Sequence, residues 1–396
     1  MINADYFDQV IDRRHSGSIK WDCGPNELPM WVADMDFAVA PCLQKTLQNR
    51  IAHPIFGYTE PNEAWKMAFH DFMMRRHQVD FSLDWSIFST GVIPSMSSSV
   101  RAFSEVGDEV VTLTPVYPVF FHSITNNHRI QVNVPMIYDH KGYSIDFAAL
   151  EKAFASPRAK LFLLCNPANP ISRIWTKEEL IRIATLAKRY SVLVFADEVH
   201  GEIVSPDASY VPFLSVSPEA REVGIMATAV TKAFNVAGIP GSIAVVPNPM
   251  LRERLATQLN TDECGEPNVF SIPLAISAWR DGEEWLDAMR EYVFRNRKSV
   301  ETFLSSYLPE LTLVPGKATY LLWVDISNIA KNSMSFCSFL REKTGLWITP
   351  GSEYREDGEG FVRINVACPK SRLEDGLKRL YQGVLLWKQR ESAVLK

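Results

Sequence analysis

The stretch MATAVTKAFNVAG (226–238) decides how this chain is read. The run IMATAV (225–230) has the small, apolar texture of a buried strand, and Lys232 stands just past it. A helix-compatible AFNVAG follows. Upstream, FADEVHGEI (195–203) closes a second apolar run, VLVFAD (192–197), with an aspartate, Asp197. Two strand-like runs thus end in polar residues of opposite charge.

Other short apolar runs surround these two: SIFST (86–90), EVVTL (109–113), AKLFLLC (159–165) and SIAVV (242–246). They alternate with helical patterns, which marks an α/β fold with a largely parallel sheet between helices. Between two of the runs, TKEELIRIATLAKRY (176–190) opens with Thr176 and Glu179, the capping-box pair, and continues with apolar residues at helical spacing. After about residue 273 the texture changes. One long helical stretch, SAWRDGEEWLDAMREYVFRNRKSVETFLSSY, leads to the strands TYLLWVD (319–325) and FVRINVA (361–367). The expected organisation is an N-terminal arm over 1–50, a large domain over 51–285 and a small α+β domain over 286–396, completed by the N-terminal segment.

In open parallel sheets ligands sit beyond the carboxyl ends of the strands. Asn169 follows AKLFLLCNP, Asp197 ends VLVFAD and Lys232 follows IMATAV, so three polar residues are expected along one sheet edge. A desolvated lysine can form a Schiff base with an aldehyde cofactor, and a buried carboxylate can keep that cofactor's ring nitrogen protonated; pyridoxal 5′-phosphate needs that pair. A strand-end aspartate also commonly caps the next helix. The amine must be neutral to act, although an ordinary lysine has a pKa of about 10.4; burial lowers it. Asn169 either shapes the NPANP turn or donates its amide to the cofactor's phenolic oxygen. His200 either orients Asp197 or satisfies a buried contact. Tyr117, in TPVYPVF, can stack on a planar ring. In TGVIPSMSSSVRAF a helix begins after Gly91, and the N–H groups around Val92 and Ile93 suit a phosphate dianion. Arg363 sits mid-strand among apolar neighbours, where it requires either a structural ion pair or a substrate carboxylate. Gly57–Tyr58 reads only as a turn.

Bulk properties narrow the partners. With 396 residues, 46% hydrophobic and 22% charged, the chain reads as ordinary globular protein. A net charge of −5 argues against nucleic acid or an anionic membrane surface as partner. The six cysteines show no metal-ligand or CxxC spacing, so reduced thiols and no metal are expected. The first 20 residues, MINADYFDQVIDRRHSGSIK, contain no apolar core, so a cytoplasmic location is expected.

Taken together, SIKWD (18–22), LPMWVADMDF (28–37), FGYT (56–59), STGVIPSMSSSVRAFSEVGDEVV (89–111), TPVYPVF (114–120), CNPANPISRIW (165–175), FADEVHGEI, TKAFNVAG, GEEWL (282–286) and FVRINVACP (361–369) resemble fold-type I pyridoxal-phosphate enzymes of aminotransferase class I/II. WVADMDF and DEVHGEI resemble the cystathionine β-lyase-like C–S lyase branch. The resemblance implies a seven-stranded-type sheet, Lys232 as Schiff-base lysine, Asp197 on the pyridine nitrogen and Asn169 on the phenolic oxygen. It also implies Tyr117 against the ring, His200, Gly91, Val92, Ile93 and Thr231 around the cofactor, and Arg363 on the substrate α-carboxylate. Tyr58 is implied to reach the neighbouring subunit's site in a homodimer. Three departures stand out. Asn169-Pro170-Ile171-Ser172 replaces the family's NPTG; Ala229 replaces a common serine, with Thr231 or Thr228 as substitute hydroxyls; and Pro240 stands where aspartate aminotransferases carry a phosphate-binding arginine. The implied activity is β-elimination from a cysteine-S-conjugate, yielding thiol, pyruvate and ammonia. Transamination with a 2-keto acid is the alternative, and a regulatory binding role is a third reading.

Overall fold

The computed structural model describes residues 2–355 and 358–394. Its central sheet has seven strands: β1 (Ser86–Ser89), β2 (Glu109–Thr114), β3 (Ile130–Pro135), β4 (Ala159–Cys165), β5 (Leu193–Asp197), β6 (Gly224–Thr228) and β7 (Ser242–Val245). They lie in the order β1-β7-β6-β5-β4-β2-β3. Strand β7 runs antiparallel to both neighbours and every other pair is parallel. Helices cover both faces of a parallel sheet, which is why β4, β5 and β6 are apolar along their central residues, with those side chains sealed from solvent.

The strand the sequence did not announce is β3. IQVNVP alternates apolar and polar residues and lies at the sheet edge, half-solvated, so it lacks the continuous apolar signal. Helix α1 (Val92–Phe103) follows β1, and α2 (Lys177–Arg189) carries the expected capping box. Glu179 N donates to Thr176 Oγ1 (3.2 Å) and Thr176 N to Glu179 Oε2 (2.9 Å). The run IMATAV stops being a strand at Thr228; Val230 opens the single turn α3 (Val230–Ala233), which carries Lys232.

The stretch expected as one helix after residue 273 is two, α4 (Ser271–Asp281) and α5 (Glu283–Tyr307), broken at Gly282. A Cβ there would sit 2.5 Å from Phe234 Cε1 and 2.6 Å from Ala278 O, so the break is where the loop after Lys232 presses on the helix pair. Beyond it lies a four-stranded antiparallel sheet of β8 (Thr312–Leu313), β9 (Leu321–Asp325), β10 (Thr349–Pro350) and β11 (Phe361–Asn365), in the order β8-β9-β11-β10.

The segment over 28–37 joins the two sheets. Leu28–Pro29 pairs in parallel with Leu346–Trp347, and Trp31 stacks on Trp347 at 4.6 Å. Asn365 Nδ2 donates to Val32 O (2.6 Å) and Asp34 O (2.8 Å), while Asn235 Nδ2 donates to Met35 O (3.2 Å) and Phe37 O (2.8 Å). Asp36 anchors the segment with its carboxylate buried against Lys20 (3.1 Å), Arg13 (2.9 Å), Arg372 (3.4 Å) and Trp21 Nε1 (2.9 Å). Burial works to raise its pKa, but Lys20, Arg372, Trp21 and Arg13 together hold it below the usual carboxylate range. Among the described residues no helix is long and apolar enough to cross a membrane.

Asp36→Asn leaves Lys20 and Arg372 beside a neutral amide while Arg13 keeps Asp34 (2.5 Å), so it should cost about 3–5 kcal/mol in a denaturant melt. Because the folded pKa is depressed, the contribution is present above the unfolded value of about 3.9 and is lost as pH falls through the folded one. The gap between parent and variant should therefore close in acid.

Candidate active site

Strands β4, β5 and β6 end side by side, with Cys165 opposite Asp197 and Asp197 opposite Ala227. The chain leaving each end reaches one cavity of about 340 Å³, whose walls include Asn169, Asp197 and Lys232. His200, Tyr117, Gly91, Val92, Ile93 and Thr231 line the same space. Residues 141 positions apart in the chain, from Gly91 to Lys232, are thereby brought to one edge of the sheet. Arg363, from β11 of the second sheet, meets this group through Asn169: its Nη1 donates to Asn169 Oδ1 (3.3 Å) and its Nη2 to Trp31 O (2.8 Å). Tyr58 is not among them; it is fully exposed and does not enter the cavity of its own chain.

The electrostatics are those of charges removed from water and left open. Asp197 is buried, accepts from Val199 N (3.1 Å), and its pKa is pushed up to about 6 by burial against the pull of that N–H and of Lys232. Lys232 Nζ donates to Ala33 O (2.8 Å); burial lowers its pKa toward the neutral amine, Asp34 and Asp197 opposing and Arg363 assisting. Burial, Lys232 and Arg363 lower His200 to about 3, so the imidazole is neutral, and its buried Nδ1 has no hydrogen-bond partner. Arg363 is 5% exposed, its Nε is unpartnered and no carboxylate among the described residues forms an ion pair with it. The structural ion pair that a mid-strand arginine would ordinarily have is absent among these residues.

At the far end of the cavity α1 begins at Val92 with Gly91 as its N-cap. The first N–H groups of a helix have no intrahelical partner and carry its positive dipole end, which suits an anion. Of the two candidate hydroxyls there, Thr231 lines the cavity, whereas Thr228 Oγ1 is committed to Glu198 O (3.1 Å). Pro240 lines the wall as well, so among the described residues Lys232 is the only lysine or arginine lining the cavity.

Three contributors carried no site role in the sequence. Ala33 acts through its carbonyl, which belongs to every residue and leaves no signature. Cys165 lines the cavity as a thiol whose acidity burial and Asp197 suppress. Asn235, at φ 57°, pins the 33–37 segment over Lys232 through its amide; the WVADMDF and TKAFN motifs were its only trace.

This fold and this cavity define a fold-type I pyridoxal-phosphate enzyme. The model of the family described as "Aminotransferase class I and II" matches residues 30–380. The chain is 34% identical over 380 residues to cystathionine beta-lyase PatB of Bacillus subtilis, covering 94% of this chain and 98% of that one. It is 32% identical to protein MalY of Escherichia coli over 96% and 98% of the two chains. The crystal structure of cystalysin from Treponema denticola, which contains a pyridoxal 5′-phosphate cofactor, superimposes with a TM-score of 0.93 at 31% identity, covering 97% and 99%. The chain belongs to the aminotransferase class I and II family, in its cystathionine β-lyase-like C–S lyase branch, whose cofactor is pyridoxal 5′-phosphate.

The raised pKa of Asp197 has a measurable consequence in the cofactor-free chain. A carboxyl whose folded pKa lies above its unfolded one binds a proton in the folded state, so its charge destabilises the fold as pH rises from about 3.8 to about 6. Asp197→Asn should therefore gain stability over the parent through that window, by about 3 kcal/mol at pH 7, as read by thermal or urea melts.

Proposed function

We propose that this protein is a pyridoxal-phosphate-dependent carbon–sulfur β-lyase that splits a cysteine-S-conjugate, such as cystathionine, into thiol, pyruvate and ammonia. The observation that carries the reading is Arg363, a buried guanidinium with no anion partner among the described residues, held beside Asn169 at the edge of the cavity that contains Lys232. A free amino acid's α-carboxylate is the anion such a site calls for.

The donor set fits the cofactor. Asp197 would hold the proton on the ring nitrogen. Asn169 has its Oδ1 occupied by Arg363, so its Nδ2 is oriented as a donor, suited to the phenolic oxygen. Tyr117 would pack against the ring, and the N–H groups at the start of α1, with Thr231, would take the phosphate. When bound, pyridoxal phosphate supplies an electron sink that lets a bond at the substrate's α-carbon break heterolytically. Arg363 fixes the carboxylate and thereby orients the Cα–H bond. Lys232 Nζ, favoured as a neutral amine by burial, takes that proton, a role typically contributing about 10²–10⁴-fold. The Cβ–S bond then breaks and the sulfur leaves as thiolate. His200, neutral and buried, faces the same space without adding charge.

The same reading pairs two copies of the chain. Ile51, Ile55, Phe56 and Tyr58 are all exposed on one short segment, an apolar surface that a partner would cover, with Tyr58 directed to the partner's site. It also keeps the division of the chain into an arm over 1–50, a large domain over 51–285 and a small one over 286–396.

Lys232→Ala should abolish both turnover and the visible absorbance of the bound cofactor; an active, yellow variant would refute the assignment. Arg363→Lys keeps the charge but loses the planar fork, and should raise KM for the amino acid about tenfold to a hundredfold. Incubating the protein with cystathionine should release thiol and pyruvate in equal amounts. Amino exchange that depends on an added keto acid, without thiol, would show the transaminase instead.

A further inference from the structure

Directly after Asp197, Glu198 is buried on the opposite side of the strand end from the cavity. Its N–H still donates to Ala227 O (2.8 Å), continuing the β5–β6 pairing, and its carboxyl is 1% exposed. Oε1 accepts from Asn166 Nδ2 (2.9 Å) and from Phe213 N (2.8 Å), and Oε2 is hydrogen-bonded to the Tyr210 hydroxyl. Asn166 in turn donates its N–H to Asp197 O (2.9 Å) and lies three residues before Asn169. The Glu198 carboxyl therefore ties the loop that carries Asn169 to the strand end that carries Asp197. Gly201 makes room for this, since a Cβ there would come within 3.0 Å of the Tyr210 ring.

No lysine, arginine or histidine among the described residues forms an ion pair with Glu198. The nearby cations are committed elsewhere: His77 (2.5 Å) and Arg76 (2.7 Å) both bind Glu202. The titratable groups packed around the carboxyl are Tyr210, Asp197, Glu202 and, edge-on to Tyr210, His77. Two N–H donors on one oxygen and a hydroxyl on the other suit an undissociated acid as well as a carboxylate, and among the described residues no ion-paired cation favours the carboxylate. Burial pushes its pKa up to about 8, and Asp197 adds to the rise against Phe213 N–H and Asn166.

We propose that Glu198 is a positioning residue that works as a neutral carboxylic acid, bracing the Asp197 and Asn169 loops through Asn166, Phe213 and Tyr210 without placing a second unpaired negative charge beside Asp197. The proposal goes beyond the lyase reading and depends on it only for the roles of Asp197 and Asn169.

The test compares Glu198→Gln, Glu198→Ala and Tyr210→Phe with the parent, as full chains with and without added pyridoxal phosphate. A neutral amide keeps the bracing, whereas alanine leaves two buried N–H groups unpaired. Glu198→Ala should weaken cofactor binding about tenfold and move the pH midpoint of its visible absorbance; Glu198→Gln should restore both. Tyr210→Phe should show a smaller loss in affinity, and it remains readable where the alanine variant fails to fold. Without cofactor, the raised folded pKa means the parent loses stability as pH rises from about 4.5 to about 8, so Tm of Glu198→Gln minus that of the parent should climb through that window and then level. A glutamine variant as impaired as alanine, an unaffected Tyr210→Phe, or a Tm difference flat with pH would overturn the proposal. A parent chain that takes up no cofactor would instead defeat the lyase reading, while the Tm comparison would still decide the proton on Glu198.

Discussion

Burying a charge without pairing it organises this molecule. Asp197 and Arg363 are buried and Lys232 is half-buried; Asp197 and Lys232 line one cavity, Arg363 stands beside it at Asn169, and none of the three closes an ion pair with another protein group among the described residues. The effective penalty for such burial is several kcal/mol per ion, which a fold does not retain for its own stability. Asp36 supplies the contrast within the same chain. It is equally buried, yet three cations and an indole N–H surround it. One set of charges is closed and holds the segment over 28–37 in place; the other is left open to be answered by something that is not protein.

The scaffold explains how the open set is assembled. Parallel strands deliver their carboxyl ends to one edge, so three residues far apart in the chain become neighbours without any local motif joining them. The second sheet then brings Arg363 from β11 to the Asn169 amide, fixing which end of that amide faces the cavity. The stitched segment supplies the Ala33 carbonyl that receives Lys232 Nζ. A neutral Glu198 behind the strand end completes the picture: it stiffens the support without a second negative charge beside the first.

Much of this was legible in the residues because the sheet is buried on both faces. Six of the seven strands carry short apolar stretches, and the polar residues at or just past the ends of β4, β5 and β6, namely Asn169, Asp197 and Lys232, mark the site edge. The strand β3 escaped notice because IQVNVP is an edge strand whose polar alternates meet water. The break at Gly282 was hidden for another reason: helical periodicity continues across it, and the clashes with Phe234 and with Ala278 O that forbid a side chain there arise only in the folded chain. Thr228 and Thr231 look equivalent in sequence, but the strand-to-helix turn commits the Thr228 hydroxyl to Glu198 O and leaves Thr231 lining the cavity. Tyr58 is fully exposed in the single chain, so packing among the described residues gives its side chain no place.

The central claim is that the open charges are answered by one small molecule joined to one lysine. Borohydride reduction of the chain mixed with pyridoxal phosphate, followed by peptide mapping, tests it most directly. The account requires a single modified residue, Lys232, at about one label per chain. Labels scattered over surface lysines with Lys232 unmodified would contradict it.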